Sequence, residues 1–202
     1  MSKRNQPPKR KSSQNKQWKR TPNPPAKRRS DSNKNSQTVE GRHAVREAIL
    51  AGTRRVLEVH MSEGLDSASV IDDITNLSQE LRIPLRKHGK AKFKSMTTTE
   101  SAQGVFAVCD PLPDLELEDL IEGTDKPFIL VLDSITDPRN LGSIIRSGEC
   151  AGATGILLPR HRSVRITPTV AKTAQGAIEH IPIATTSGIP KALSRLKELG
   201  VW

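Results

Sequence analysis

Leu132-Asp133-Ser134-Ile135-Thr136-Asp137-Pro138-Arg139-Asn140-Leu141-Gly142-Ser143-Ile144-Ile145-Arg146-Ser147-Gly148-Glu149 joins an apolar run to a helical pattern through a short polar loop. The run before it, Phe128–Leu132, is continuous and apolar, which predicts a strand buried on both faces. The loop then sits at the carboxyl end of a parallel strand, where open α/β sheets bind ligands. Pro138 stiffens it. Asn140 is placed either to cap the following helix or to present its amide to a ligand, and Gly142 permits close backbone approach. The helix should run from about Leu141 to Ala151 and close at Gly152. Leu141, Ile144, Ile145 and Gly148 share one face. Arg146 lies about 140° from Leu141, at roughly 100° per residue, and points away from that face. A solvated arginine and an arginine directed at a phosphate or ribose both satisfy this placement.

Further along, strands are expected at Gly155–Leu158 and Ile181–Ala184, and helices at Val170–Ala177 and Ile189–Leu199. Gly200-Val201-Trp202 reads as the turn into another strand. Residues 127–202 number 76, below the roughly 100–150 of a common domain, so this domain is expected to be incomplete in the sequence. Upstream, Pro111 and Pro113 mark residues 110–126 as a linker, with one short acidic amphipathic helix over Leu115–Glu122. Residues 38–109 read as a small α/β domain. Helices are expected at Arg42–Ala51, Ser67–Arg82 (Ser67 or Ser69 as N-cap) and Ala91–Met96. Strands are expected at Arg55–Met61, Ile83–Arg86 and Gly104–Cys109. This alternation predicts a mostly parallel sheet.

The charge is unevenly spread. The chain has 202 residues, 32 Lys+Arg and 22 Asp+Glu, a net of +10. Residues 1–37 hold 12 of the basic residues and only Asp31 in opposition, a net of +11, so the remaining 165 residues are nearly neutral at −1. That first segment is almost without apolar residues and is expected to be a disordered basic tail. Its clusters Lys9-Arg10-Lys11, Lys19-Arg20 and Lys27-Arg28-Arg29 suit a polyanion such as RNA, with Trp18 able to stack on a base. A purely solubilising tail is the competing reading. No apolar stretch reaches the roughly 18 residues of a membrane span, and none follows the basic start as in a secretory signal. Cys109 and Cys150 cannot make a disulfide framework and lack metal-site spacing with the five histidines. Both are expected to be buried free thiols, which fits a reducing, cytoplasmic setting without a metal.

The order Asp137, Pro138, Asn140, Gly142, Arg146 resembles the first signature motif of the SpoU-type RNA 2′-O-ribose methyltransferases (TrmH family, SPOUT superfamily), Asp-Pro-x-Asn-x-Gly-x-x-x-Arg. Lys172-Thr173-Ala174-Gln175-Gly176-Ala177-Ile178-Glu179-His180-Ile181-Pro182 is similar to the family's Lys-x-Ser-x-Gly-Ala-x-Glu-x-x-Pro block, with Ala174 where the family usually has Ser. Val39–Ala48 and Gln103–Ala107 resemble the two ends of its N-terminal substrate-binding domain. The resemblance implies an α/β protein with an L30e/L7Ae-like domain at 38–109 and the first part of an α/β-knot methyltransferase domain at 127–202. It implies S-adenosylmethionine as cofactor, bound by loops expected beyond residue 202, and a homodimer when complete.

By the same resemblance Arg146 is catalytic and Asn140 orients it or the ribose. A guanidinium stays protonated, which makes Arg146 an electrostatic stabiliser or a phosphate clamp rather than a general base. Glu149 is three residues on and within reach of Arg146, although a surface helix pair is the plainer reading. RNA contacts are expected from Arg42 and His43, from Arg139, and from the loop bearing Arg160, His161, Arg162 and Arg165. His180 is expected to be a packed structural histidine. Large-subunit (23S) ribosomal RNA guanosine is the expected target. The alternatives are a tRNA 2′-O-methyltransferase, or a non-catalytic RNA-binding protein if residue 202 is the true terminus.

Overall fold

The computed structural model describes residues 36–66, 68–99 and 102–202. The basic segment before residue 36 and the candidate cap Ser67 lie outside them.

The first lobe opens with strand β1, Gln37–Glu40, which the sequence reading overlooked. Four residues with polar ends give too short a pattern to recognise, and Gln37, assigned to the tail, belongs to this strand. Helix α1, Arg42–Ala51, buries Ala44, Val45, Ala48 and Ile49 along one stripe and stops at Gly52, which adopts the left-handed conformation at φ 61°. Strand β2 is Val56–Ser62. Helix α2 is Ser69–Glu80, so Ser69 is its first residue, and Ala68 at the N-cap supplies no side-chain bond. The buried Ser78 hydroxyl is satisfied within this helix, donating to the Ile74 carbonyl at 2.7 Å. Strand β3, Leu85–His88, helix α3, Lys90–Met96, and strand β4, Val105–Cys109, complete the lobe.

The sheet order is β1-β4-β2-β3. Only β2 and β3 run parallel. β4 is antiparallel to β1 (Val39 opposite Ala107) and to β2 (Val59 opposite Ala107), so the expected mostly parallel sheet is corrected to a mostly antiparallel one. Helix–strand alternation does not by itself set strand direction. The tight turn at Gln103 and Gly104, both at positive φ, leads directly into β4. The sheet and its helices enclose Val39, Val45, Val59, Ile74, Val105, Ala107 and Cys109.

The connection to the second lobe bridges Leu115 to Ala184 and forms a single 3₁₀ turn at Glu118–Leu120, in place of the expected amphipathic helix. Leu120 alone in that turn is buried. Strands β5, Ile129–Val131, β6, Gly155–Pro159, and β7, Ile183–Thr186, form a parallel sheet in that order. β6 is central and buried. β5 is an edge strand, half-buried throughout, and Phe128 beside it is 46% exposed, which corrects the expectation of a strand covered on both faces.

The period-2 alternation of β6 divides the second core in two. Ile156 and Leu158 face helices α4, Pro138–Cys150, and α5, Pro168–Ala174, packing with Leu141, Ile145, Val170 and Ile178. Leu157 faces the other way, toward Leu120, Ala184 and the Ala192 and Leu196 of helix α6, Ile189–Glu198.

Candidate functional site

Asp137 ends the loop after β5 and caps α4, its carboxylate accepting from the Arg139 backbone N–H at 2.7 Å. Pro138 follows at the first helical position, where its missing N–H costs no bond. The helix therefore begins three residues earlier than its apolar pattern indicates, and Asn140 lies in its first turn, exposed, instead of capping it.

The buried stripe of α4 is Leu141, Gly142, Ile145 and Gly148. Gly142 takes the place expected of Ile144. A Cβ added there would stand 2.6 Å from Thr173 Cβ and 2.8 Å from the Val170 carbonyl oxygen. The glycine thus lets the backbones of α4 and α5 touch, and the close approach it permits is to the protein itself.

With that stripe turned inward, Ser143, Arg146, Ser147 and Cys150 (spaced i, i+3, i+4, i+7) share the opposite side of α4. They line a cavity of about 580 Å³ together with Lys172, Thr173 and Gln175, and with Gly41, His43, Ala44 and Gln103 of the first lobe. The cavity lies at the seam of the two lobes. Among the described residues Arg146 and Lys172 are its fixed cations, and none of those lining it carries a carboxylate. Arg146 makes no side-chain hydrogen bond or ion pair among the described residues, to Asn140 and Glu149 included. Asn140 is not among the lining residues.

Lys172 is held from behind. Its Nζ donates to Thr99 Oγ1 at 3.4 Å, and that hydroxyl donates to Glu40 Oε2. Glu40 is fully buried and also accepts from the Thr98 N–H at 2.7 Å, the Thr98 hydroxyl at 2.8 Å and the Thr99 N–H at 3.0 Å. Burial pushes this carboxyl up, but the four donors together outweigh burial and hold it below the usual carboxylate range.

The lobes are joined by a second buried cluster. Arg54 Nη2 and Nε donate to the two Glu179 oxygens at 2.5 and 3.1 Å, Arg54 Nη1 donates to Gln37 Oε1 at 2.9 Å, and Thr53 Oγ1 donates to the Glu179 carbonyl at 2.6 Å. Nearby, Gly176 at φ 96° packs so tightly on Glu47 that an added Cβ would lie 2.4 Å from its Cβ. Glu179 stands at the glutamate of the Lys172–Pro182 block but was given no role, Arg54 was not singled out, and partners 125 residues apart leave no local signal of their pairing.

The other expected residues are dispersed. His43 is exposed and lines the cavity. Arg42 is tied to Gln103, its backbone N–H donating to Oε1 and its Nε to the carbonyl oxygen, both at 3.1 Å. It borders a neighbouring hollow of about 330 Å³ with Lys90 and Lys94. Arg139, Arg160, His161, Arg162 and Arg165 are exposed and lie outside the lining of the larger cavity.

Two readings are corrected. Cys150 is an exposed thiol on the cavity wall. Only Cys109 is buried, which pushes its thiol up to about 12. His180 is exposed and bonded through Nε2 to Glu47 Oε2 at 2.9 Å, not packed. Among the described residues there is no group of three or more His, Cys, Asp or Glu arranged to hold a metal ion, and no helix long and apolar enough to cross a membrane.

S-adenosylmethionine carries an ammonium and a sulfonium as well as a carboxylate, and the described lining residues offer no carboxylate to its cationic groups, so these residues do not by themselves hold the cofactor. The same residues fit an anion with several oxygen acceptors.

Fold and site together define a two-lobed α/β protein with an anion-suited cavity at the lobe seam. Comparison with known proteins makes this specific. Residues 127–202 match the SpoU rRNA Methylase family, and residues 38–115 match the RNA 2′-O ribose methyltransferase substrate binding family. The chain is 36% identical over 172 residues to the 23S rRNA (guanosine-2′-O-)-methyltransferase RlmB of Pseudomonas putida, covering 82% of this chain and 68% of that protein. It is 36% identical over 168 residues to the putative TrmH family tRNA/rRNA methyltransferase YacO of Bacillus subtilis, covering 81% and 66%. Among solved structures, the SpoU methyltransferase AviRb of Streptomyces viridochromogenes, in complex with AdoMet, shares the fold at a TM-score of 0.64 and 18% identity, over 81% of this chain and 59% of that one. The chain belongs to the SpoU (TrmH) family of RNA methyltransferases. It spans about two thirds of the length of the curated relatives it matches.

Proposed function

We propose that this protein takes part in S-adenosylmethionine-dependent 2′-O-ribose methylation of RNA, with a guanosine of large-subunit ribosomal RNA as target, as a homodimer. The observation that carries this reading is Arg146, projecting into a cation-lined cavity with no protein partner among the described residues. The similarity to RlmB supports the ribosomal target, and the AdoMet complex of AviRb supports the cofactor, which supplies the methyl group. The division into a substrate-binding part at 38–109 and a methyltransferase part at 127–202, joined by 110–126, belongs to the same proposal.

A ribose 2′-hydroxyl is a weak nucleophile until the charge developing on its oxygen is stabilised. Arg146 supplies a permanent positive charge for that oxygen or for the adjoining phosphate. Asn140, in the first turn of the same helix but outside the described cavity lining, is assigned to orienting the sugar by the family motif alone. Arg42, His43, Arg139, Arg160, Arg162 and Arg165 extend the RNA contact along both lobes.

The test is a map of 2′-O-methylation in ribosomal RNA from a strain lacking the gene, complemented with the wild-type gene or with Arg146→Ala. Loss of one methylated guanosine, restored by wild type and not by the variant, is the expected result. An unchanged map overturns the reading of the RNA target, and full restoration by Arg146→Ala overturns the role of the arginine.

A further inference from the structure

We infer that the cavity at the lobe seam seats a phosphodiester of the RNA strand and that Lys172 is its anchoring residue, a proposal that rests on the family reading above. The argument starts from what the cavity offers. Lys172 has three N–H donors, and Thr99 takes one of them. Arg146 has five donors and no partner among the described residues. Ser143 and Ser147 add two hydroxyls from the same helix side, and His43 stands at the exposed wall. Gln103 uses its amide oxygen on the Arg42 N–H, which leaves its amide N–H groups as donors.

A ligand that meets two cations, several further donors and, among the described residues, no carboxylate is an anion carrying several acceptor oxygens. A phosphodiester within a nucleotide chain has that chemistry, and the volume falls within the range of about 300–1,000 Å³ usual for ligand sites.

The support behind Lys172 also points to a built site. A free lysine side chain samples many rotamers and loses that freedom on binding. Here Glu40 is buried, meets no cation directly among the described residues, and is satisfied by four donors from Thr98 and Thr99. This clamp fixes the Thr99 hydroxyl, and Thr99 in turn receives the Lys172 ammonium. Glu40 is thus a positioning residue for Lys172 across the seam, from β1 to α5. RNA seated on Lys172 would be registered against both lobes at once, which sets the strand's position relative to Arg146.

Cys150 provides a reporter in the same cavity. The chain has two cysteines, and the other, Cys109, is buried. The rate at which Ellman's reagent modifies Cys150 is measured on the full 202-residue chain against increasing single-stranded RNA oligonucleotide, with total RNA binding followed in parallel by fluorescence anisotropy. RNA is expected to protect the thiol. Lys172→Met is expected to raise the half-protecting RNA concentration about tenfold and to lower the log–log salt slope by about one, with Lys172→Arg close to wild type. Lys172→Gln provides a second neutral variant should Lys172→Met fail to fold. Glu40→Gln should shift protection in the same direction by a smaller factor.

RNA that binds without protecting Cys150, or protection unchanged in both neutral variants, overturns the assignment of the cavity while leaving the methylation reading standing. A chain that binds no RNA at all overturns both.

Discussion

Arg54 and Glu179, 125 residues apart, meet as a doubly hydrogen-bonded ion pair with 2% and 1% of their side chains exposed. Each carries a charge that burial penalises; the two satisfy each other, and Arg54 Nη1 donates in addition to Gln37 Oε1 at 2.9 Å and to the Asp110 carbonyl at 3.5 Å. Breaking such a pair leaves one charge buried and alone. Arg54→Ala is therefore expected to lower the unfolding free energy by about 3–5 kcal/mol, read from urea denaturation. Replacing both residues with methionine should recover most of that loss. A single variant as stable as wild type would show that the pair is solvated in solution.

Gly142 is expected to reject even a methyl group. Gly142→Ala places a carbon against Thr173 Cβ and the Val170 carbonyl, both on the facing helix α5, so one helix must shift. Overpacking of this kind costs about 1–3 kcal/mol, in spite of the better helix propensity of alanine. A lowered melting temperature in calorimetry is the expected result, and an unchanged or raised one would contradict the helix contact.

Glu40 should contribute to acid sensitivity. Its folded pKa lies below the ordinary value of 4.5, so near that pH the unfolded chain binds the proton more readily. The stabilisation is present above about pH 4.5 and is lost as the pH falls through the folded value. Glu40→Gln should flatten this acid limb when stability is measured by urea denaturation at a series of pH values. A limb of unchanged steepness would place the titration elsewhere.

His60 acts in a higher window. Its ring stacks on Phe106 and lies edge to edge with the His88 ring, with Nδ1 2.9 Å from His88 Nε2 and Nε2 3.0 Å from Glu58 Oε2. Burial, aided by the charges of His88 and Arg86, lowers its pKa against the opposing pull of Glu58. The neutral ring can donate to Glu58 and accept from His88, an arrangement that protonation destroys. With the folded value below 6.5, stability should fall as the pH drops from about 6.5 toward that value. In nuclear magnetic resonance titrations the His60 ring signals should titrate below pH 6.5, and a midpoint above it would refute the buried arrangement.

The basic amino-terminal segment should govern the salt dependence of RNA binding. Deleting residues 1–35 removes a net charge of +11 and leaves Gln37 of β1 in place, and the slope of log affinity against log salt should become much shallower. An unchanged slope would identify the segment as a solubiliser.

Legibility varied along the chain for physical reasons. Helices α1, α4 and α6 were visible because each buries one stripe against a single layer, and the 3.6-residue period records it. The starts of α1 and α6 fall at Arg42 and Ile189 as expected, and that of α4 does not. α4 begins at Pro138 because Asp137 caps it, a polar signal that precedes the apolar pattern. Strand β1 escaped notice, and the direction of β4 was read wrongly, because a strand's neighbours are chosen by long-range pairing. Arg146 was placed on the outward side of its helix from spacing alone. That this side is a cavity wall depended on α5 and on the first lobe.

The sequence by itself determined that a helix follows β5, which side of it carries Arg146, and that the chain's net positive charge resides in its first 37 residues, +11 there against −1 in the rest. These are local properties, set by residue type and by a repeat of a few positions. Only the tertiary structure decided that Arg54 meets Glu179, that Lys172 leans on Thr99 and Glu40, and that Cys150 faces solvent on the cavity wall while Cys109 is buried. Those relationships join residues tens to more than a hundred positions apart, and they arise from how two cores pack across a seam. No period along the chain carries that information.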